Sequence, residues 1–285
     1  MKKPGSITVF TRRNPAQTAS ALRRVIELAC EAGVEVRVPA GESEKHELEE
    51  RPGAVLGADP ADDTDLAVVL GGDGTILSTM RLFAGREVPV FAVNFGAVGF
   101  LATVENTDLD DSIRRALQGE FDVMSLPALS FAHGGASRVA VNDISLHRRP
   151  SGRVAELGYR VRGEELGEVR CDGLVVATPA GSTGYNLANG GPVLAWGVEG
   201  FVVSFIAPHT LTARALVVAP DDRLEVVNRS QEDPVEVTTD GRPVCTLAPQ
   251  ESIELGFERD MALLAQAPGV SFYGRLRDKF GRLSY

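Results

Sequence analysis

Asp73 is the residue best placed by its neighbours to do chemistry. It stands in Gly71-Gly72-Asp73-Gly74-Thr75, with glycine on both sides. Before this pentapeptide runs Asp65-Leu-Ala-Val-Val-Leu70, with the length and branching of a buried strand. After it, Ile76, Leu77, Met80 and Phe83 share one face of a helix. A strand that ends in glycines and opens a helix leaves backbone N–H groups pointing outward, which suits a phosphate. A carboxylate among such donors repels a phosphate, so Asp73 needs a separate purpose, such as holding a hydroxyl. The turn reads as a place where a sugar hydroxyl meets a nucleotide phosphate, with Gly71, Gly72, Gly74 and Thr75 on the phosphate side. Glycine supplies 30 of 285 residues, so the Gly-Gly pair decides little; the Asp does, because a helix cap does not need glycine at both neighbours.

Three further clusters follow. In Val141-Asn142-Asp143-Ile144 an adjacent amide and carboxylate offer donors and acceptors in one place, fit to read vicinal hydroxyls or an amide. The same pair also makes an ordinary turn. In Arg170-Cys171-Asp172-Gly173, an apolar strand to Thr178-Pro179, and then Ala-Gly181-Ser182-Thr183-Gly184-Tyr185-Asn186, small and hydroxylated residues crowd around glycines. A flat ring or sugar can lie against such a backbone, with Ser182, Thr183 and Tyr185 giving hydrogen bonds. No Lys follows these glycines, so the segment is no Walker-type phosphate loop. In Phe205-Ile-Ala207-Pro208-His209, the histidine can serve as a base. No carboxylate or nucleophile can be placed beside it, and it reads as a packed or surface residue.

The elements that must position these groups change character along the chain. Up to residue 121 strand and helix alternate: strands at 6–11, 34–38, 66–70 and 88–93, with helices ending near Gly33, following the glycine turn, and at 109–117. Asn14-Pro15 supplies a cap and a first-turn proline for the first helix. This order predicts an α/β domain with a Rossmann-like parallel sheet, ligands lying off the carboxyl ends of its strands. The glycine turn and the segment 94–101 fall at such ends. From 122 to 270 short period-two runs replace helices, at 128–132, 138–146, 155–162, 174–178, 201–206, 223–227, 235–239, 242–247 and 252–257, with Asp240-Gly241 as a tight hairpin. An all-β sandwich is expected there. The basic helical tail, 271–285, is expected to pack back on the first domain and complete it. Charge-rich Gly41 to Gly53 reads as a mobile surface loop with no chemistry.

Composition bounds the partners. A net charge of −10, with no Lys/Arg block, argues against nucleic acid and anionic membranes. Three scattered cysteines and four scattered histidines suggest neither a disulfide framework nor a protein metal site. The apolar run after Lys2-Lys3 is too short for a signal-peptide core, and the expected location is the cytoplasm.

In this order the segments resemble the NAD kinase family across nearly the whole chain: Gly71 to Thr75, Asn142-Asp143, Asp172-Gly173, Thr178-Pro179 to Tyr185, Gly190-Gly191-Pro192 and Asp240-Gly241. The first element is shared with lipid kinases and, loosely, phosphofructokinases; the Thr-Pro-x-Gly-Ser-Thr-x-Tyr element is more specific. Two departures stand out: Asp143 replaces the usual Glu, and Gly184 the usual Ala. The resemblance implies ATP-dependent phosphorylation of the adenosine ribose 2′-hydroxyl of NAD to give NADP, with Mg²⁺ or another divalent metal accompanying ATP, by a homodimer or homotetramer. It makes Asp73 the catalytic base, with Gly74 at NAD. Asn142 and Asp143 would bind a ribose, while Asp172, Thr183, Gly184, Tyr185, Asn186, Leu187 and Ala188 hold the nicotinamide and adenine ends; Arg170, Ala207 and Arg242 match more loosely. A lipid or sugar kinase sharing the glycine turn, or a non-catalytic dinucleotide sensor, are the other readings. A lipid kinase would want a basic amphipathic helix, and a sensor has no use for Asp73.

Overall fold

Leu66–Gly71 is buried at all six residues, as is Pro89–Asn94, and this lack of alternation marks strands covered on both faces. In a computed structural model, which describes residues 2–50, 52–60, 63–96, 99–149 and 153–281, both belong to the first of two units. That unit is Met1–Ser125 with Ala262–Tyr285; the second is Leu126–Met261. Both divisions fall inside strands, Asp122–His133 and Ser252–Gln266. A change of sequence texture at 121 or 270 therefore does not coincide with them.

In the first unit the sheet is parallel. Ser6–Thr11 pairs with Glu35–Pro39 on one side and Leu66–Gly71 on the other. Glu35–Pro39 goes on to pair with Ala54–Ala58, and Leu66–Gly71 with Pro89–Asn94. Leu263 and Leu264 pair with Pro89 and Val90, also in parallel. The core is built from Ile7, Val9, Leu22, Val25, Ile26, Leu66, Val68, Leu70, Phe91 and Val93. Helix Ala19–Glu31 turns the expected stripe inward, burying Leu22, Val25, Ile26 and Ala29. Asn14 caps a separate 3₁₀ turn, Pro15–Gln17, rather than this helix. Helix Asp73–Leu82 is anchored by Ile76 and Met80, both buried and each worth about 1.5–3 kcal/mol, whereas Gly74 is exposed. The Gly74 side of the first turn is thus left available to a ligand. The tail does return to this unit, as helix Phe272–Phe280. Residues 282–285 of the tail and Ala97 and Val98 of the 94–101 segment lie outside the described residues.

Gly41 to Gly53 is not the free surface loop its charges suggest. Residues Ala40–Lys45 form a helix. His46 is buried, its Nε2 is 2.7 Å from Thr11 Oγ1, and Thr11 in turn donates to Glu42 at 2.7 Å. Lys45 donates to the Thr11 carbonyl. Glu42, Lys45 and His46 thus satisfy the end of a strand, while Glu44, Glu47, Glu49 and Glu50 are exposed.

The second unit is an antiparallel sandwich. One sheet joins Glu164–Cys171, Ala155–Val161, Leu224–Asn228 and the start of Ser252–Gln266. The other runs in the order Leu216–Val218, Phe201–Ile206, Gly173–Ala177, Asp143–Arg148, Val235–Thr239, Arg242–Leu247. Leu157, Val226 and Leu255 from the first sheet share a core with Leu146, Val176, Val203 and Val237 from the second. Residues 138–146 are not one strand, as alternation alone predicts. Ala136–Ala140 and Asp143–Arg148 are separate, with Val141 and Asn142 outside both.

Candidate functional site

The first unit gathers its chemistry at the carboxyl ends of its parallel strands. Register places Gly71 opposite Asn94, so the glycine turn and the start of the 94–101 segment are neighbours. Their backbones meet closely: a Cβ on Gly96 would stand 3.0 Å from the Gly72 Cα. Packing therefore favours glycine at 96, whereas a Cβ on Gly72 would meet the Gly96 Cα at 3.4 Å, an ordinary contact. Asp73 is the first helical residue, and the geometry of a helix start leaves the Asp73 and Gly74 N–H groups without intrahelical acceptors. A Cβ on Gly74 would meet nothing within 4 Å, so nothing in the fold itself excludes a side chain there. Thr75 packs its side chain against Gly71. The half-buried Asp73 carboxylate accepts from the Phe100 N–H at 2.9 Å and the Leu101 N–H at 3.3 Å. Two of its lone-pair positions are thereby used and about two remain. Arg12 adds a cation that the glycine pattern did not reveal. Its N–H donates to Leu70 O at 2.9 Å, and its guanidinium donates to Phe95 O.

The second unit gathers a different set. Asp240 lies at φ 44° and Gly241 at φ 72°, the left-handed pair of a two-residue hairpin. The Asp240 carboxylate accepts the N–H groups of Val141 (3.2 Å), Asn142 (2.7 Å) and Asp143 (3.1 Å). It thereby breaks the strand at 141–142 and presents the amide–carboxylate pair. Thr178 locks the opposite side: its hydroxyl donates to Val141 O and its N–H to Asn142 O. A Cβ on Gly181 would stand 2.0 Å from Asn142 O, so glycine alone lets this turn lie against the pair. Asn142 Oδ1 is shielded from solvent and accepts no hydrogen bond among the described residues. A buried acceptor without a donor costs about 1–3 kcal/mol, which a ligand hydroxyl or amide N–H would recover.

Asp143 is 7% exposed, and burial, with the Asp240 charge second, pushes its carboxyl up to about 7. Near neutrality it is a donor as well as an acceptor. Because the folded value exceeds the unfolded one, the folded chain binds the extra proton between about pH 4 and pH 7. The contribution is intact below the unfolded value and is lost as pH rises through 7. Asp143→Asn, neutral at every pH, should therefore raise stability at pH 8 by about 2–4 kcal/mol and change it little at pH 4. Urea unfolding at both pH values measures this; equal effects at both would refute the assignment.

Tyr185 closes the set. Its ring stacks on His147 at a centroid distance of 5.6 Å. Burial raises the pKa of its hydroxyl, and the Asp143 and Asp172 carboxylates add to the rise. Burial holds the His147 imidazole below its usual value, and Ser145 Oγ lies 2.8 Å from its Nε2. Asp172 is paired with Arg148 at 2.6 Å. Thr183 and Gly184 continue the turn, Thr183 Oγ1 donating to Ala180 O. Asn186 is fully buried and donates to Ser182 O and Pro192 O, both at 2.9 Å, a role in holding the turn. Leu187 and Ala188 share its short helix. Ala207, at φ 43°, follows Ile206, whose carbonyl accepts the Asp172 N–H. Arg170 is not gathered in. It pairs with Glu156 at 3.2 Å on the other sheet. Arg242 is exposed and lies opposite Thr239, directly after the Asp240-Gly241 turn. Sequence reasoning missed Asp240 as an organiser, together with His147, Arg148 and Arg12. For Asp240 one signal existed: a type I′ turn needs no carboxylate, and Asn or Gly would serve.

A parallel sheet ending in a helix-opening glycine turn, with a sandwich that gathers an amide, carboxylates and a stacked phenol, defines a nucleotide-handling protein of two units. The family models for the ATP-NAD kinase N-terminal and C-terminal domains match residues 7–121 and 141–257. The NAD kinase of Gemmatimonas aurantiaca is 35% identical over 225 residues, 76% of this chain and 77% of that protein. The NAD kinase of Citrifermentans bemidjiense is 30% identical over 285 residues, 98% of each. Among solved structures, an Archaeoglobus fulgidus NAD kinase in complex with ATP is 25% identical, with a TM-score of 0.74 over 97% of both chains. A yeast NADH kinase complexed with NADH has a TM-score of 0.90 over 99% of this chain and 89% of its own at 22% identity, a likeness of fold. The chain belongs to the ATP-NAD kinase family.

Proposed function

We propose that this protein is an ATP-dependent NAD kinase that transfers the γ-phosphoryl group of ATP to the 2′-hydroxyl of the adenosine ribose of NAD, giving NADP and ADP. The reading rests above all on Asp73, a carboxylate with spare lone pairs at the first position of a helix whose outward N–H groups suit phosphate oxygens. The 2′-oxygen attacks the terminal phosphorus; the new O–P bond forms as the bond to the β-phosphate oxygen breaks. Asp73 takes the hydroxyl proton, and the electron pair of the broken bond leaves with ADP. Asn142 Oδ1 and Asp143 take a ribose, and Tyr185 with the 181–188 turn takes the flat rings.

Among the described residues, no group of three or more His, Cys, Asp or Glu side chains is placed to hold a metal ion. A divalent cation such as Mg²⁺ would accompany the ATP phosphates and neutralise their charge. No helix among the described residues is long and apolar enough to cross a membrane. Cys30, Cys171 and Cys245 are free thiols, consistent with a cytoplasmic protein. A homodimer or homotetramer is the assembly proposed.

The test is to incubate purified protein with ATP, Mg²⁺ and NAD and follow NADP with an NADP-specific dehydrogenase. Steady turnover supports the proposal. NAD binding without turnover would make the chain a sensor, and turnover only with a lipid or sugar alcohol would reassign its acceptor.

A further inference from the structure

We infer that Arg275, on the carboxyl-terminal helix, is a positioning residue for Asp73 and acts on it through the Phe100–Leu101 peptide group. The inference rests on Asp73 being the base. Arg275 is 9% exposed, and its guanidinium donates to Phe100 O at 2.9 Å, to Ala102 O and to Gln266 Oε1. The Phe100 carbonyl and the Leu101 N–H are two ends of one peptide group. Arg275 charges one end, and the other donates to Asp73 Oδ1 at 3.3 Å. The preceding Phe100 N–H takes Oδ2 at 2.9 Å. A cation and an anion at opposite ends of one amide polarise it in the same sense and strengthen both hydrogen bonds.

The arrangement leaves the carboxylate little slack. A Cβ on Gly99 would stand 2.1 Å from Asp73 Oδ1, so the loop lies directly against the acid. The helix is itself held in register with that loop. Ser271 caps it by accepting from Gly274 N, Phe272 is buried, and the Phe280 ring lies 5.3 Å from that of Phe100. Burial pushes the Arg275 guanidinium below its ordinary pKa, and the Asp73 charge opposes that shift. A guanidinium stays protonated regardless, so its charge is paid for in desolvation. Packing alone would be served by a methionine of similar length. What the charge adds is a fixed carboxylate whose two remaining lone pairs face a hydroxyl in one geometry, and such alignment governs reaction rate more than substrate affinity.

The experiment compares full-length wild type, Arg275→Met, Arg275→Lys, Asp73→Asn and the Asp73→Asn/Arg275→Met double variant, with ATP, Mg²⁺ and NAD. Arg275→Met should lower kcat by about 10–100-fold, with KM for NAD within about threefold. Arg275→Lys should turn over about three- to tenfold faster than Arg275→Met, because the charge returns without the fork. Amide exchange at 99–102 should quicken in the Met variant and be slowed again in the Lys variant. The double variant should be no slower than Asp73→Asn, since both changes disable one device. Where the Met variant does not fold, Arg275→Gln, a shorter polar side chain without the charge, takes its place with the same expected loss. An unchanged kcat in Arg275→Met, or losses that multiply in the double variant, would overturn the inference alone. A wild-type kcat in Asp73→Asn would overturn the base and this inference together.

Discussion

Asp73→Asn is expected to lower kcat by about 10²–10⁴-fold, the usual share of a positioned general base, and to leave NAD binding near the wild-type level. The loss corresponds to about 3–5 kcal/mol of transition-state stabilisation. Asparagine is isosteric, and its side-chain oxygen can still accept from the Phe100 N–H or the Leu101 N–H, so the loop and the helix start should survive. What it cannot do is take a proton from an attacking hydroxyl. Positioning and charge neutralisation around the phosphates supply the larger part of phosphoryl transfer, so residual turnover should remain measurable. Isothermal titration with NAD and steady-state NADP formation separate the two effects. Normal turnover would refute the base, and turnover and NAD affinity lost together would make Asp73 a binding residue.

A second large effect is expected at Asp240, far from Asp73 in sequence and in the other unit. Asp240→Asn should lower the stability of the second unit by about 2–3 kcal/mol and weaken NAD binding at least tenfold. The hairpin is not the reason, since asparagine adopts positive φ as readily as aspartate. The reason is donor count. The carboxylate accepts three backbone N–H groups, from Val141, Asn142 and Asp143. An amide offers one acceptor oxygen and turns an NH₂ group toward a donor, and each charge-assisted bond is worth about 1.5–3 kcal/mol. The Asn142–Asp143 pair loses its fixed presentation, and the Asp143 carboxyl drops toward the ordinary carboxylate range as one of its two causes of elevation disappears. Urea unfolding and NAD titration read the outcome. Wild-type values in both would mean that the 141–143 segment does not depend on Asp240.

How far the site could be read in advance depended on how local its causes are. The strand 66–71, its glycines and the helix after them are consecutive, so their patterns lie in one window. The strands Phe201–Ile206, Val235–Thr239 and Arg242–Leu247 also fall where alternation and the Asp-Gly turn put them. The continuous reading of 138–146 failed for a non-local reason. Alternation persists across Val141 and Asn142, but Asp240, 98 residues on from Asn142, captures the N–H groups that a strand ladder would have used. Gly41 to Gly53 misled similarly: Glu42, Lys45 and His46 look solvated until folding returns them to Thr11, 31 residues earlier than Glu42.

Contiguous residue types were enough to specify an α/β unit followed by an all-β one, the turn that carries Asp73, and membership of a nucleotide kinase family. Tertiary structure alone decided which groups aim and charge those residues: Asp240 over Asn142 and Asp143, His147 under Tyr185, and Arg275 behind the peptide that grips Asp73, 175 residues from Phe100. Hydrogen-bond donors and buried charges choose their partners by distance in space after the chain has closed, and no periodicity along the chain encodes that distance.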